Sequence, residues 1–164
     1  MGGSAVAKPQ GVGGTLVLDA QGLVKFAAGD PAVRALARKA YERYEQVVTA
    51  ASTLAEVLRG RAEDARIHRV LQRVSVASID KELGREAGEL LGATGMSGHR
   101  YTVDALLAVV ALAQPRSVVL VTSDPKDMAR LTEEPERAKN QRIAVLKVLC
   151  RSGAGGPPDR VWVS

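Results

Sequence analysis

Residues 117–131 read Ser-Val-Val-Leu-Val-Thr-Ser-Asp-Pro-Lys-Asp-Met-Ala-Arg-Leu, an apolar β-branched run followed directly by a helix-start signal. The apolar run is typical of a buried strand, and Asp124 before Pro125 is typical of a helix N-cap with proline in the first turn. We therefore predict a strand over 117–122 and a short helix over 125–131. A strand that is apolar on both faces favours a parallel sheet covered on both sides.

The rest of the chain repeats this alternation of short apolar runs and amphipathic segments. Strands are predicted over 15–18, 46–49, 74–79 and 142–148. Helices are predicted over 31–44, 52–59, 62–72, 80–91 and 102–113. This order predicts an α/β fold on a mainly parallel sheet. In such sheets the ligand site lies beyond the carboxyl ends of the strands.

Length and composition indicate one globular domain. The chain has 164 residues, of which 46% are hydrophobic, and this excludes a disordered protein. We expect a Gly-rich leader over 1–14, a folded domain over 15–150 and a Gly/Pro-rich tail over 151–164. A single cysteine, Cys150, excludes a disulfide framework, and no apolar stretch is long enough to span a membrane. With no apolar signal segment at the N-terminus, a cytoplasmic location is expected.

The charge balance favours phosphate-bearing partners. The net charge is +5 while aromatic residues make up only 3%, which is too few for a base-stacking platform. Lys25, Arg34 and Arg38 are candidate contacts to nucleic-acid phosphates, with a solvated helix face as the alternative for each. Arg59 and Arg61, which follow Glu56, have the same two interpretations.

Acidic residues stand at the predicted carboxyl edge of the sheet. Asp19 directly follows the first strand, Asp124 and Asp127 follow the strand over 117–122, and Glu56 and Asp104 interrupt apolar helices. Asp104 shares one helix face with Ala108 and Ala111 by the i, i+4, i+7 rule, which predicts a close approach to the sheet.

Each acid also has a purely structural interpretation. Asp19 and Asp124 are suited to cap the helices that follow them. Asp104 falls in the first turn of its predicted helix, where the helix dipole favours a negative charge. Glu56 is costly if buried without a partner, although the edge of its helix would also carry it to solvent.

Taken together, the acids predict a metal-dependent site. Carboxylates that converge on one sheet edge repel one another unless cations neutralise them, and ligands that are all oxygen select Mg²⁺ or Mn²⁺. Phosphodiester hydrolysis is the chemistry that such ions support, and it requires neither cysteine nor histidine. His68 and His99 are accordingly expected at the surface.

Four segments, in order, resemble those of PIN-domain ribonucleases and, among these, VapC-type toxins of bacterial toxin–antitoxin pairs. The segments cover 16–24, 49–58, 104–111 and 121–131. The resemblance implies a three-layer α/β/α sandwich that cleaves single-stranded RNA with Mg²⁺ or Mn²⁺. It also implies a homodimer and an antitoxin protein that holds the enzyme inactive.

The resemblance further implies roles for individual residues. Asp19, Glu56, Asp104 and Asp124 correspond to the acidic catalytic quartet, and Asp127 to a frequent additional acid. The metal ligands would be Asp19, Asp104, Asp124 and Asp127, with Thr122 as a supporting hydroxyl. Whether Asp124 or Asp127 caps the helix is left open at this stage.

Two other enzyme classes fit the sequence poorly, and one binding role stays open. A haloacid-dehalogenase-like phosphatase needs Asp-x-Asp after the first strand, but Asp19 is followed by Ala20 and Gln21. A phospho-receiver needs paired acids near the first strand, which are also missing. The remaining alternative is an inactive PIN-like domain that serves as an RNA-binding or protein-binding scaffold.

Overall fold

The computed structural model describes residues 14–43, 45–115 and 117–148. Residues 1–13 of the expected leader and all of the expected tail over 151–164 lie outside these ranges, as do Tyr44 and Cys150. Gly14 packs closely against Ser117, where an added Cβ would stand 2.4 Å from the Ser117 carbonyl oxygen. The described part of the fold therefore begins directly before the first strand.

Among the residues described, five parallel strands form one sheet in the order β3-β2-β1-β4-β5. The strands, β1 to β5 in chain order, are Thr15–Leu18, Gln46–Ala50, Ser75–Ala77, Val118–Thr122 and Ala144–Lys147. β1 lies at the centre, where Leu16 stands opposite Val47 of β2 and Val119 of β4. The prediction of a parallel sheet is confirmed.

Within the described ranges, seven α-helices connect and cover the strands. They are α1 to α7 in chain order: Ala20–Ala28, Pro31–Glu42, Ala51–Val57, Ala65–Leu71, Lys81–Thr94, Gly98–Leu112 and Pro125–Leu131. Two short 3-10 turns occupy Ala62–Asp64 and Lys139–Gln141. None of the helices in the described ranges is both long and apolar enough to cross a membrane.

The sheet separates two apolar cores. On one side Leu16 and Leu18 of β1 pack with residues of α1, α2 and α4, while on the other Val17 packs with residues of α5, α6 and α7. This alternation along β1 follows from the two-residue repeat of a strand. Burial on both faces confirms the three-layer α/β/α sandwich.

The helix α1 was not predicted from the sequence. Gly22 interrupts its apolar pattern, and glycine inside a helix costs about 1 kcal/mol relative to alanine. The structure gives the reason for this glycine, since a Cβ at Gly22 would lie 3.3 Å from the Val121 carbonyl oxygen and from Asp19 Oδ1. The close approach of α1 to β4 therefore favours the residue that weakens the helical signal.

Candidate active site

Asp19 is fixed between the ends of two neighbouring strands. Its carboxylate is 8% exposed and caps α1, where Oδ1 accepts a hydrogen bond from the Gly22 N–H at 2.6 Å. Oδ2 accepts a second one from the Ser123 N–H at 2.9 Å, just beyond β4. These bonds confirm that Asp19 caps its helix, and they hold the carboxylate at the carboxyl edge of the sheet.

Glu56 reaches the same edge from β2 through α3. Within β2, the Thr49 hydroxyl donates to the Leu18 carbonyl oxygen at 2.8 Å, which joins β2 to the end of β1. α3 begins at Ala51, directly after β2, and carries Glu56 near its C-terminal end. The Glu56 side chain is exposed to solvent, as one of its two sequence interpretations required.

Asp104 comes from α6, on the opposite side of the sheet from α1. Ala108 and Ala111 are fully buried on α6, which confirms the predicted close approach of this face to the sheet. The predicted position of Asp104 in the first turn is wrong, because α6 begins at Gly98 and Asp104 is its seventh residue. The partial positive charge at the N-terminus of α6 therefore does not explain why an acid stands at this position.

The end of β4 supplies Thr122, Asp124 and Asp127. Thr122 is buried, and its Oγ1 accepts a hydrogen bond from the Asp124 N–H at 3.0 Å. Asp124 in turn caps α7, since its Oδ1 accepts from the Asp127 N–H at 3.3 Å. Asp124 rather than Asp127 is thus the capping residue.

A cavity of about 310 Å³ opens where these elements meet. Asp19, Glu56 and Asp104 line it together with Ala20, Gln21, Val103, Leu107 and Ser123. Neither Gln21 nor Ser123 has a signal in the sequence, because only the packing of α1 against β4 brings them to the cavity. Asp124 and Asp127 do not line this cavity.

The acids influence one another electrostatically. Burial raises the pKa of Asp104, and the negative charges of Asp19, Asp124 and Asp127 raise it further. Burial also raises the pKa of Glu56, with further increases from Asp104 and Asp19 and an opposing effect of Arg59. The five acids predicted from the sequence therefore belong to one electrostatic group.

Arg59 supplies the positive charge that acts on Glu56. Its guanidinium group folds back on the end of α3 and donates to the carbonyl oxygens of Glu56 at 2.7 Å and Leu58 at 2.8 Å. A third bond reaches the Ala55 carbonyl oxygen at 3.3 Å. Arg59 is therefore held at the C-terminal end of α3, next to Glu56.

The three predicted RNA contacts lie elsewhere. Lys25 stands in the last turn of α1, where its side chain is 14% exposed and pairs with Asp30 at 3.7 Å. Arg38 pairs with Glu42 at 3.8 Å on the surface of α2, and Arg34 is exposed on the same helix. None of the three lines the cavity. His68 and His99 are exposed, as predicted.

The donor atoms at this edge suit a hard divalent cation, since all of them are carboxylate or hydroxyl oxygens. Within the described ranges, the Glu56 and Asp104 carboxylates form no hydrogen bond or ion pair that would compete for an ion. However, no three acidic, imidazole or thiol side chains of the described residues stand close enough together to hold a metal ion. The ligand chemistry fits, whereas ion binding would require side chains to turn towards the cavity.

Comparison with known proteins identifies relatives of the fold. The family model of the PIN domain matches residues 16–134. The solved structure of VapBC2 from Rickettsia felis, bound to a DNA fragment from their promoter, aligns with 16% identity and a TM-score of 0.58, covering 80% of this chain and 98% of that one. The structure of VapBC-1 from nontypeable Haemophilus influenzae aligns with 17% identity and a TM-score of 0.51, covering 72% and 92%. No curated protein sequence matches the chain.

Proposed function

The chain belongs to the PIN domain family, whose model matches residues 16–134, and we propose that it is a metal-dependent endoribonuclease that cleaves single-stranded RNA. The observation that carries this proposal is the environment of Asp104. Burial and the charges of three other aspartates raise the pKa of its half-buried carboxylate, and no lysine or arginine among the described residues opposes these effects. A group of like charges without compensation is costly in a fold, and a divalent cation would relieve that cost.

Asp19 would be the fixed ligand of the ion, because two backbone N–H groups already hold its carboxylate. Each carboxylate oxygen carries two lone pairs, so these bonds leave acceptor capacity on the cavity side. Asp104, Asp124 and Asp127 would complete the ligand set, with Thr122 fixing the chain at Asp124. Bound Mg²⁺ or Mn²⁺ would neutralise the charge that develops on the phosphodiester and acidify the attacking water.

Glu56 would take the proton from that water. Its carboxylate lines the cavity and is reachable from solvent, and its raised pKa makes it a better base than an ordinary glutamate. A general base works best when its pKa approaches the working pH, which is the direction of the effect here.

The biological role that we propose is the toxin of a toxin–antitoxin pair. Support comes from the family and from the similarity of the fold to two VapBC structures. The partners would be RNA, a cognate antitoxin protein and a second copy of the chain in a homodimer. The location would be cytoplasmic, and the nuclease domain would comprise residues 15–150 between a leader and a tail.

Cleavage of a set of single-stranded RNAs in Mn²⁺, Mg²⁺ or EDTA tests the enzyme. We expect cleavage by the wild type with either ion, none in EDTA, and a loss of at least about 100-fold in Asp19→Asn and Asp104→Asn. Glu86→Gln is the matched control, since it removes an exposed acid on α5 and should leave the rate unchanged. Cleavage that persists in EDTA or in both aspartate variants would refute the proposal.

The scaffold alternative has one observation in its favour. Among the described residues, no three side chains of the metal-binding types lie close enough together to hold one ion. A domain that only binds RNA or protein would need no metal at all. Calorimetric titration of the wild type with millimolar Mn²⁺ separates the two roles, because a scaffold would show no binding.

A further inference from the structure

Residues 59–73, here called the basic segment, begin three residues after Glu56 and end shortly before β3. The segment includes most of the loop after α3, the 3-10 turn Ala62–Asp64 and the helix α4. It contains two acids, Glu63 and Asp64. All five of its arginines are exposed: Arg59, Arg61, Arg66, Arg69 and Arg73.

Asp64 is the buried acid of the basic segment, and its carboxylate binds the backbone of the loop that carries the first two arginines. The residue is 7% exposed, and its Oδ2 accepts hydrogen bonds from three successive N–H groups, at 2.8 Å from Arg59, 2.7 Å from Gly60 and 3.3 Å from Arg61. These bonds, above all that of Arg59, lower the pKa of Asp64. Asp64 is therefore a positioning residue for the loop that carries the first two arginines.

The basic segment is connected to the acidic site at its beginning. Arg59 acts on the charge of Glu56, which lines the cavity. α4 then packs against α1, whose first residues, Ala20 and Gln21, line the same cavity. The exposed arginines thus begin next to Glu56 and continue along α4.

The far end of the basic segment is also fixed. The Arg73 guanidinium group lies 4.4 Å from the centre of the Tyr41 ring, and the Tyr41 hydroxyl donates to the Arg73 carbonyl oxygen at 2.8 Å. Arginines held in place lose less conformational entropy when they bind a ligand than mobile ones do.

We propose that the basic segment is the surface that binds the backbone phosphates of RNA on one side of the bond to be cleaved. This inference rests on the proposed function. The planar guanidinium group matches phosphate oxygens with two parallel hydrogen bonds, and the scarcity of aromatic residues leaves phosphates as the main target. In contrast, Lys25 and Arg38, on α1 and α2, are already compensated by Asp30 and Glu42.

The test measures binding of a fluorescein-labelled single-stranded RNA by anisotropy in EDTA at several KCl concentrations. Arg66→Gln/Arg69→Gln is the main variant, because both side chains are exposed and form no hydrogen bond or ion pair with the described residues. Each lost phosphate contact should reduce the slope of log K against log[KCl] by about 0.7, with an affinity loss of roughly tenfold for the pair. Arg34→Gln/Arg38→Gln, which removes the same charge from α2, should bind within about twofold of the wild type.

Several results would overturn the inference. Equal losses in the two double variants would mean that only net charge matters, and a larger loss in the α2 variant would move the RNA to that helix. If the α4 variant loses binding to poly-L-glutamate but not to RNA, the surface serves an acidic polypeptide instead. Thermal melts that match the wild type establish that each variant is folded.

Cleavage of the same RNA by the wild type in Mn²⁺ distinguishes failure of this inference from failure of the proposed function. If the wild type cleaves the RNA and the α4 variant binds it normally, the proposed surface is wrong and the nuclease proposal is supported. If RNA binding depends on Arg66 and Arg69 but the wild type does not cleave the RNA, the surface is supported and the nuclease proposal is wrong.

Discussion

A single carboxylate, Asp19, serves both the fold and the candidate site. From the sequence, Asp19 was a candidate both for a helix cap and for a metal ligand. The structure shows that both oxygens accept backbone hydrogen bonds, one from α1 and one from the end of β4, while the residue lines the cavity. The capping bonds fix the position that a ligand would need.

Removing the charge of Asp104 should stabilise the protein when no metal is bound. Its raised pKa means that the folded state disfavours the ionised form, so Asp104→Asn removes the cost of a buried charge and its repulsion by other aspartates at pH 7. After allowance for solvent screening of a half-buried group, we expect a gain of roughly 0.5 to 1 kcal/mol in the free energy of unfolding. Urea unfolding in EDTA measures it, with Glu86→Gln as the control. A less stable Asp104→Asn would show that the aspartate is compensated.

Asp64 should contribute stability that depends on pH in the opposite sense. Its pKa in the folded state is lowered below the ordinary value of 3.8 by backbone hydrogen bonds, so folding favours the ionised form. The stability advantage of the wild type over Asp64→Asn should be complete above that value and disappear as the pH falls through the folded-state pKa. The measurement is the difference in urea midpoint between pH 7 and pH 2.5.

Glu63→Gln is the control for this pH series, because Glu63 is the exposed neighbour of Asp64. Its urea midpoint should follow that of the wild type at every pH. A difference between the wild type and Asp64→Asn that stays constant down to pH 2.5 would mean that the charge of Asp64 is not what holds the loop.

Residue-level prediction from the sequence worked where the signal was periodic and failed where it depended on folding. The face of Asp104, Ala108 and Ala111 follows from helix geometry, and the two alanines are buried as predicted. The role of Asp64 depends on three N–H groups that converge only after the loop has turned. Lys25 was a candidate for RNA because its partner Asp30 comes into reach only through the turn between α1 and α2.

At the scale of elements, strands were easier to predict than the helix nearest the site. The apolar run of β4 and the signal Asp124-Pro125 gave α7 the bounds that the structure has. The start of α6 was placed four residues late, because Gly98 and His99 are weak helix formers and tertiary packing includes them. α1 was missed because Gly22, which the close packing against β4 favours, looks like a helix breaker.

Gly22→Ala should separate the stability of α1 from the geometry of the site. Alanine gains about 1 kcal/mol in helix propensity, but its Cβ would meet Asp19 Oδ1 and the Val121 carbonyl oxygen at 3.3 Å. We expect a net change in unfolding free energy below about 1 kcal/mol and a loss of Mn²⁺-dependent cleavage of about tenfold or more, because Asp19 is displaced.

The matched control for this change is Gly84→Ala in α5, where an added Cβ meets nothing within 4 Å. It should raise the unfolding free energy by about 1 kcal/mol and leave cleavage unchanged. Full activity of Gly22→Ala would show that α1 can move away from β4 without disturbing Asp19.

Across the whole molecule, charge is unevenly distributed in a way that composition alone does not reveal. The net charge of +5 predicted a phosphate-bearing partner but not where it binds. The sheet gathers acids at its carboxyl edge, while α4 carries arginines away from the same edge. A polyanion would be attracted by the arginines of α4 and repelled by the acids at the sheet edge until a cation is bound.

A bound cation should therefore reverse the order of stability between the wild type and Asp104→Asn. In EDTA the variant is expected to be more stable, because it lacks one of the repelling charges.

A ligand that binds only the folded state stabilises it by about 2.7 kcal/mol at 100 times its Kd, which for a domain of this size raises Tm by about 5–10 °C. Mn²⁺ should give this increase to the wild type and to Glu86→Gln but little of it to Asp19→Asn or Asp104→Asn. Thermal melts with and without Mn²⁺, at matched ionic strength, measure whether the order of Tm reverses. Equal increases in all four proteins would place the ion away from the carboxylates and remove the physical basis of the proposed nuclease.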